Sequence, residues 1–591
     1  MERRSADNAG VALTVVRPAT PTDPPGATGR ARPGPWELAA VGIAIVLPLA
    51  SAPVVDIPTW ALRWSLLPAL AGLGLPLLGA TAWRGEARRA ARWALAWLAW
   101  AAVATALAPQ PVIAFWGQYR VGTGLLFFAG LAGAWAVGAR AGGAARPIAS
   151  ALLATCAVNA TVGIVAQLLD LTAFGVNPFH GRAVGFYGNP VYLAELLCGG
   201  LWIALVRLDR PGRRRRVVAA GVLISAGIEL SGSRAALILA VVACVIACVR
   251  GQKRTRMLGV LVVAGGIALG GAVGSVTAAS TTGTDRFSSV AVAGDGVAPR
   301  VATWRGGVAA VASRPLWGWG PAGTLAATGP RRTLTVARAE GPDIMFADAH
   351  DLVVEAAVTT GLVGLVVLLG WMAAATAGAR RRPTGEGLLG FAALVAGVSL
   401  VEPMHVGVTP LAALALAAAG PVQRPAAARR GTAFAGRVVG AVVGAAGVVA
   451  SAWLLAGLVA LHQADLAGDP VAAEHAAARL PPWGEPDAVV GRLIAFQGIV
   501  RRDPARLDEA TRWWAVAATR DAADPARWVD LGGSLEHVGR PAAAAAAYRR
   551  ALRDNPWSAR AYAGLVRVGP SGGVGAGEIA AARAKLALLP R

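Results

Sequence analysis

The sequence predicts an all-α, polytopic membrane protein with about thirteen transmembrane helices, a long extracytoplasmic loop and a C-terminal helical-repeat domain. Three observations lead there. Of 591 residues, 55% are apolar and 15% charged, whereas an ordinary soluble domain is roughly 25% charged. The apolar residues fall in runs of about 16–24, the length that crosses a ~30 Å hydrocarbon layer. Short arginine clusters separate those runs. A single soluble globule and wholesale disorder are both excluded.

Residues 1–35 are rich in Pro, Thr, Gly and Arg and lack both an apolar h-region and a small-residue cleavage site, so they read as a disordered cytoplasmic tail with no cleavable signal. The transmembrane domain occupies 36–461. Its expected spans are 36–55, 62–82, 93–108, 123–139, 148–170, 190–206, 217–231, 235–249, 258–278, 352–374, 388–404, 407–420 and 438–461; the pairs within 217–249 and 388–420 are short enough to be re-entrant. Six connections are strongly basic: Arg84 to Arg92, Arg140 to Arg146, Arg207 to Arg216, Arg250 to Arg256, Arg380 to Arg382 and Arg424 to Arg437. All six fall on one side if the amino terminus is cytoplasmic, as the positive-inside rule requires.

Lys253 and Lys585 are the only lysines among 56 basic residues, so the net charge of +23 is written almost wholly in arginine. An alanine-, glycine- and arginine-heavy, lysine-poor chain of this kind suggests a GC-rich bacterial genome. Most of its charge serves topology, and no nucleic-acid partner is expected. Cys156, Cys198, Cys244 and Cys248 all lie within apolar runs, with neither a CxxC pair nor zinc-ligand spacing; they read as packing residues.

The expected orientation puts four segments outside: 109–122, 171–189, 279–350 and everything after 461. A connection of roughly 70 residues is far longer than usual and marks a functional loop. The outer segments carry Arg120, Arg182, Arg234, Arg286, Arg300, Arg305, Arg314, Arg331, Arg332 and Arg338. Any one of them alone is explained by solvation or lipid headgroups. Several together, each just outside a span, favour an anionic ligand. Glu195, Glu229, Glu355 and Glu402 lie near the outer ends of spans, where they either neutralise these arginines or converge with them on a site.

Four outer motifs carry the chemistry. His180–Gly181–Arg182 and Gly185–Phe186–Tyr187–Gly188–Asn189–Pro190 open the sixth span. Ser231–Gly232–Ser233–Arg234 turns between two short spans. Pro299–Arg300 starts a stretch with Trp304, Val308 and Val311 at helical spacing, expected as an interfacial amphipathic helix ending at Pro315–Leu316–Trp317–Gly318–Trp319–Gly320. Asp348–Ala349–His350–Asp351 leads into a span with Glu355, Gly361 and Gly364.

Over 170–405 these residues resemble the O-antigen ligase and O-antigen polymerase superfamily of bacterial envelope glycosyltransferases. The resemblance rests on R-x-x-G-F-x-G-N-P from Arg182, S-G-S-R-A-A from Ser231, R-x-x-x-W from Arg300 with P-L-x-G-x-G from Pro315, and A-H-x-x-x-x-E from Ala349 with G-L-x-G from Gly361. Val191, Ala235 and Asp351 depart from the family pattern, which bears on the identity of the acceptor. The resemblance implies a metal-independent, inverting transfer of a glycan from an undecaprenyl-pyrophosphate carrier to an acceptor hydroxyl on the outer membrane face, with no cofactor. It assigns the diphosphate to Arg182, Arg234 and Arg300, with Arg120 a weaker candidate. His350 orients or deprotonates the acceptor, with Asn189 and Glu355 in support. Polysaccharide ligase, polymerase and protein O-oligosaccharyltransferase all fit; a lipid-linked sugar transporter or flippase fits less well, since neither internal repeats nor midplane charges appear. A non-catalytic scaffold is the remaining alternative.

Residues 462–591 gain charge and lose spans. Trp528, Leu531, Gly532, Leu535, Ala544, Tyr548, Ala551 and Pro556 sit at the offsets of a tetratricopeptide repeat, with looser matches at Ala510, Trp514 and Ala517 and at Tyr562 and Leu565. An extracytoplasmic helical solenoid that binds a protein partner or presents an acceptor is expected there.

Overall fold

The computed structural model describes residues 33–51, 53–79, 83–171, 176–209, 214–277, 282–283, 298–380, 385–421 and 430–590. The expected cytoplasmic tail lies, but for its last residues, outside the described ones, as does Arg286. Every regular element among the described residues is helical.

The membrane half begins with α1 (Pro35–Leu49), α2 (Pro58–Ser65), α3 (Leu67–Leu78), α4 (Gly85–Ala106), α5 (Pro111–Trp116), α6 (Leu125–Arg140) and α7 (Ala145–Leu169). It continues with α8 (Pro190–Leu205), α9 (Arg214–Leu230), α10 (Arg234–Arg250) and α11 (Lys253–Val276). Among the described residues, five helices are long and apolar enough to cross a membrane: Thr59–Leu78, Gly142–Leu169, Lys253–Val276, Leu352–Ala379 and Val438–Ala467. Thirteen spans were expected. Most of the others are helices too, but they are shorter, like Pro190–Leu205 and Thr409–Ala418, or begin in charged turns, like α4 with its Glu86, Arg88 and Arg89.

Small residues let these helices approach closely, as packing between apolar helices requires. Gly74 of α3 lies directly against Gly133 of α6. Elsewhere aromatic rings fill the space: Trp97 of α4 stands 4.5 Å from Phe128, centroid to centroid. Helix α8 is buried along nearly its whole length.

The described part of the long outer loop is folded, not extended. It contains α12 (Ala298–Ser313), α13 (Thr324–Thr328) and α14 (Leu334–Glu340). The helix expected from Arg300 is present as α12, but its apolar side is divided. Val308 is exposed, while Trp304 turns inward and donates from Nε1 to Ala349 O at 3.1 Å.

Helix α15 (Leu352–Ala379) is broken at Gly361, whose φ is +70° and ψ 179°. The break explains two sequence motifs at once. Carbonyls freed by the kink accept from the 315–320 turn: Trp319 N donates to Val358 O at 2.8 Å and Gly320 N to Thr359 O at 2.9 Å. Trp100 Nε1 takes Thr360 O at 2.8 Å, and Leu362 N donates to Pro315 O at 2.8 Å. The P-L-x-G-x-G turn is therefore the plug of a kinked helix.

Helices α16 (Glu386–Val398) and α17 (Thr409–Ala418) precede the long α18 (Arg430–Ala467). The tail follows as α19 (Pro470–Ala477), α20 (Gly484–Arg501), α21 (Pro504–Arg520), α22 (Pro525–His537), α23 (Pro541–Asp554), α24 (Ala559–Val568) and α25 (Ala576–Ala587). Asp469, Asp503 and Asp524 each cap a helix whose first residue is proline, a pairing that satisfies the free amides of the first turn. As the repeat pattern requires, the Tyr548 ring lies where side chains at Gly532 and Gly564 would otherwise stand.

Candidate active site

The outer end of α15 is built from short-range bonds. Asp351 caps the helix, accepting from Val353 N and Val354 N at 2.8 Å. Leu352 N donates to Ser399 O at 2.8 Å, and Ser399 Oγ donates to Glu195 of α8 at 2.8 Å. These bonds fix the start of α15 between α8 and the turn after α16.

His350 stands just before that cap in the left-handed backbone region, φ +52°, a conformation that His adopts more readily than most residues. Its amide donates to Asp348 Oδ1 at 2.9 Å. Its Nδ1 lies 2.6 Å from the same oxygen, as a charge contact and not an aligned hydrogen bond. Burial disfavours the imidazolium, but Asp348 and then Glu402 outweigh it and raise His350 to about 9, with Arg300 opposing. Burial would raise Asp348 in turn, yet the imidazolium holds it below the usual carboxylate range. Both residues are outside the spanning segments.

Arg300, near the start of α12, faces the same place, with Nη2 2.8 Å from Glu402 Oε1. Glu355 is buried one turn into α15. It does not hold the imidazole: its Oε2 accepts from Ala349 N and from Thr324 Oγ1, both at 2.8 Å. Its place is to fix the backbone beside His350.

A second group forms around the start of α8. Phe179 and Arg182 form an isolated antiparallel bridge. Arg182 Nε donates to Ser231 O at 2.7 Å, and Ala183 N to Leu230 O at 2.9 Å. The R-x-x-G-F-x-G-N-P and S-G-S-R-A-A motifs are thus packed against each other, with Arg234 opening α10 after the Ser233 cap. Asn189 caps α8, accepting from Val191 N at 2.8 Å.

Arg120 is placed elsewhere. It pairs with Asp56 at 3.0 Å and with Glu485 of the tail at 3.5 Å. Other outer arginines hold the loop to itself or, for Arg338, to the end of the tail. Arg331 donates to Ala327 O and Ser313 Oγ, Arg332 to Gly341 O and Pro342 O, and Arg338 to Leu588 O. Arg314 lies over the Trp319 ring at 4.7 Å.

Asp348 and Glu402, which stood out in the sequence without an assigned role, face His350 and Arg300. One residue, Arg63, was missed by sequence reasoning. Arg63 is fully buried in the segment Thr59–Leu78. It donates to Leu47 O, Pro48 O and Phe186 O at 2.9–3.0 Å, and to Thr59 O. Its guanidinium stacks 4.1 Å from the Tyr187 ring. It ties the turn that delivers Asn189 to the ends of α1 and α2. An arginine inside an apolar run was the available signal, since such a residue is costly in lipid and is usually functional.

An apolar cavity of about 110 Å³ runs from Leu352 and Ser399 down past Trp97 and Trp371. Among the described residues no group of three or more His, Cys, Asp or Glu side chains is gathered to hold a metal.

Residues 219–369 match the O-antigen ligase family, and residues 525–568 match the tetratricopeptide repeat. The first match includes Arg234, Arg300, His350 and Glu355; Arg182, Asn189 and Glu402 fall outside it. Among curated proteins there is no match.

Proposed function

We propose that this O-antigen ligase-like protein with a tetratricopeptide tail is a membrane glycosyltransferase. It moves a glycan from undecaprenyl pyrophosphate to an acceptor hydroxyl on the outer face of the bacterial cytoplasmic membrane, with inversion and without a metal. The carrying observation is a coincidence: the family match spans Arg300 and His350, and those two residues meet in one network with Asp348 and Glu402.

The acceptor oxygen forms a bond to the anomeric carbon while that carbon's bond to the diphosphate oxygen breaks. Undecaprenyl pyrophosphate leaves with the electron pair. Arg300, Arg182 and Arg234 hold its developing charge, as arginine forks do for phosphates. Arg120, given its carboxylate partners, is the weakest member of the set. His350 in its neutral form takes the acceptor proton, and Asp348 orients the ring. The apolar cavity beside Leu352 is a place for part of the polyprenyl chain.

The amino terminus is read as cytoplasmic and the tail as extracytoplasmic. The tail has a groove of about 400 Å³ lined by Trp514, Tyr548, Arg560 and Arg567, among others, which suits a protein partner or a protein-borne acceptor. This favours ligase over polymerase. The test is mass spectrometry of the full chain in nanodiscs with an undecaprenyl-pyrophosphate glycan and candidate acceptors. Release of undecaprenyl pyrophosphate that requires His350 is expected. Intact donor with every acceptor would shift the reading to a transporter, to be tested next by a flipping assay.

A further inference from the structure

From Pro35 to Arg591 the chain forms one compact unit, and the contact between the last helices and the outer loop is polar. The turn joining α23 to α24, Asn555–Ser558, lies on the loop segment 329–346. Asn555 Nδ2 donates to Pro342 O at 2.8 Å. Trp557 Nε1 donates to Arg332 O at 3.0 Å. Ser558 Oγ donates to Asp343 Oδ1 at 2.5 Å. Arg332 closes the same loop on itself, donating to Gly341 O and Pro342 O at 2.6 Å. Three residues beyond Asp343, the Phe346 ring stands 4.6 Å from the ring of His350.

This joint is more than a tether needs. Asn555 and Ser558 are each 1% exposed, so they lose hydrogen-bond partners if the loop moves away, and a buried polar group without a partner is costly. The start of the tail is held separately, where Trp483 Nε1 donates to Gly117 O at 2.8 Å and Glu485 pairs with Arg120; the far end of a repeat array held only there would be free to swing. Here the grip falls on the segment that leads directly into Phe346 and His350.

We propose that the Asn555–Ser558 turn is a positioning element for the transfer site, so that tail and membrane half complete it together. The activity arm of this inference rests on the transferase reading of His350; its structural arm does not.

The experiment uses the full chain in nanodiscs and reads hydrogen exchange over 341–351 alongside transfer kinetics. Asp343→Ala breaks the joint from the loop side and leaves the tail's own packing intact. Asn555→Ala breaks it from the tail side, removing both the bond to Pro342 O and the acceptor for Arg332 Nη1. Both are expected to exchange about ten-fold faster over 341–351, with α21 unchanged, because local opening reports local stability. In both, kcat falls about ten-fold with the donor KM unchanged, the sign of a misplaced catalytic group and not of lost donor binding. Asp343→Asn keeps an oxygen for Ser558 Oγ and restores both readouts. Glu578→Gln, which breaks the 2.8 Å Arg549–Glu578 pair inside the tail, changes neither.

Wild-type exchange over 341–351 in Asp343→Ala and Asn555→Ala overturns the proposal, whatever the kinetics. Faster exchange with unchanged kcat also overturns it, because the joint then holds a loop the reaction does not use. If the unaltered chain transfers nothing, the reading of His350 fails and the exchange arm still decides whether the turn holds the loop.

Discussion

Arg300 and Glu402 form an unequal ion pair: at 2.8 Å, the arginine side chain is 40% exposed and the glutamate side chain 6%. A carboxylate held out of water needs a cation, so Glu402 keeps Arg300 aimed at the site while no other anion is there. A donor diphosphate competes for the same guanidinium. Glu402→Gln, similar in shape but uncharged, is therefore expected to tighten donor binding about ten-fold by removing the competitor. Arg300→Ala is expected to abolish transfer while membrane insertion is retained. Donor titration in nanodiscs checks the first outcome; weaker binding by Glu402→Gln would show that the carboxylate acts by aiming the arginine.

The pair of His350 with Asp348 sets a pH dependence. His350 is raised to about 9 by Asp348 and Glu402 against the effect of burial, so the neutral imidazole that can accept a proton is scarce at pH 7 and becomes common as pH rises through 9. The kcat/KM for transfer is expected to climb with pH toward that value, since this parameter reports the free enzyme. Asp348→Asn removes the main stabiliser of the imidazolium and moves the rising limb toward the ordinary histidine range, near ~6.5. His350→Ala abolishes transfer and leaves the protein inserted. A rate that falls between pH 7 and 9.5 would mean that the imidazolium, not the imidazole, is the working form.

Charge stabilisation by arginine predicts insensitivity to chelators. Three guanidinium groups can neutralise a lipid diphosphate leaving group without a divalent ion. Transfer is expected to be unchanged by EDTA. Inhibition reversed by Mg²⁺ or Mn²⁺ would contradict the metal-free reading.

How far the sequence disclosed this arrangement depended on how local each feature is. Helical class followed from apolar runs, and the caps at Asn189 and Ser233 lie inside motifs that stood out as such. The Tyr548 packing followed from repeat offsets, because a repeat buries its own residues at fixed separations. The Arg300–Glu402 pair joins residues 102 positions apart, and no periodicity links them. The same holds for Asn555 and Pro342, whose bond exists only once tail and loop are folded. Arg332 looked like a ligand for an anion because it was outer and basic; its donors go to two carbonyls of its own loop. The number of crossings was poorly legible for a different reason. Apolar composition does not report where a helix breaks, and Leu66 separates α2 from α3 inside one apolar run.

The kink at Gly361 provides a last test of how the site is held. With φ +70° and ψ 179°, this backbone belongs to a region that is essentially glycine's alone. A Cβ there would also fall on Leu316 O. Gly361→Ala must therefore either straighten α15 or expel the 315–320 turn, and both displace the outer segment that begins at the His350 corner. A penalty of about 2–3 kcal/mol is expected from backbone strain, seen as a lower unfolding midpoint in detergent and a severe loss of transfer. Gly265 of α11 has open space where its side chain would be, so Gly265→Ala is the matched control and should leave both unchanged. If Gly361→Ala kept full transfer, α15 would not need its kink to place His350, and the motifs at 315 and 361 would serve packing alone.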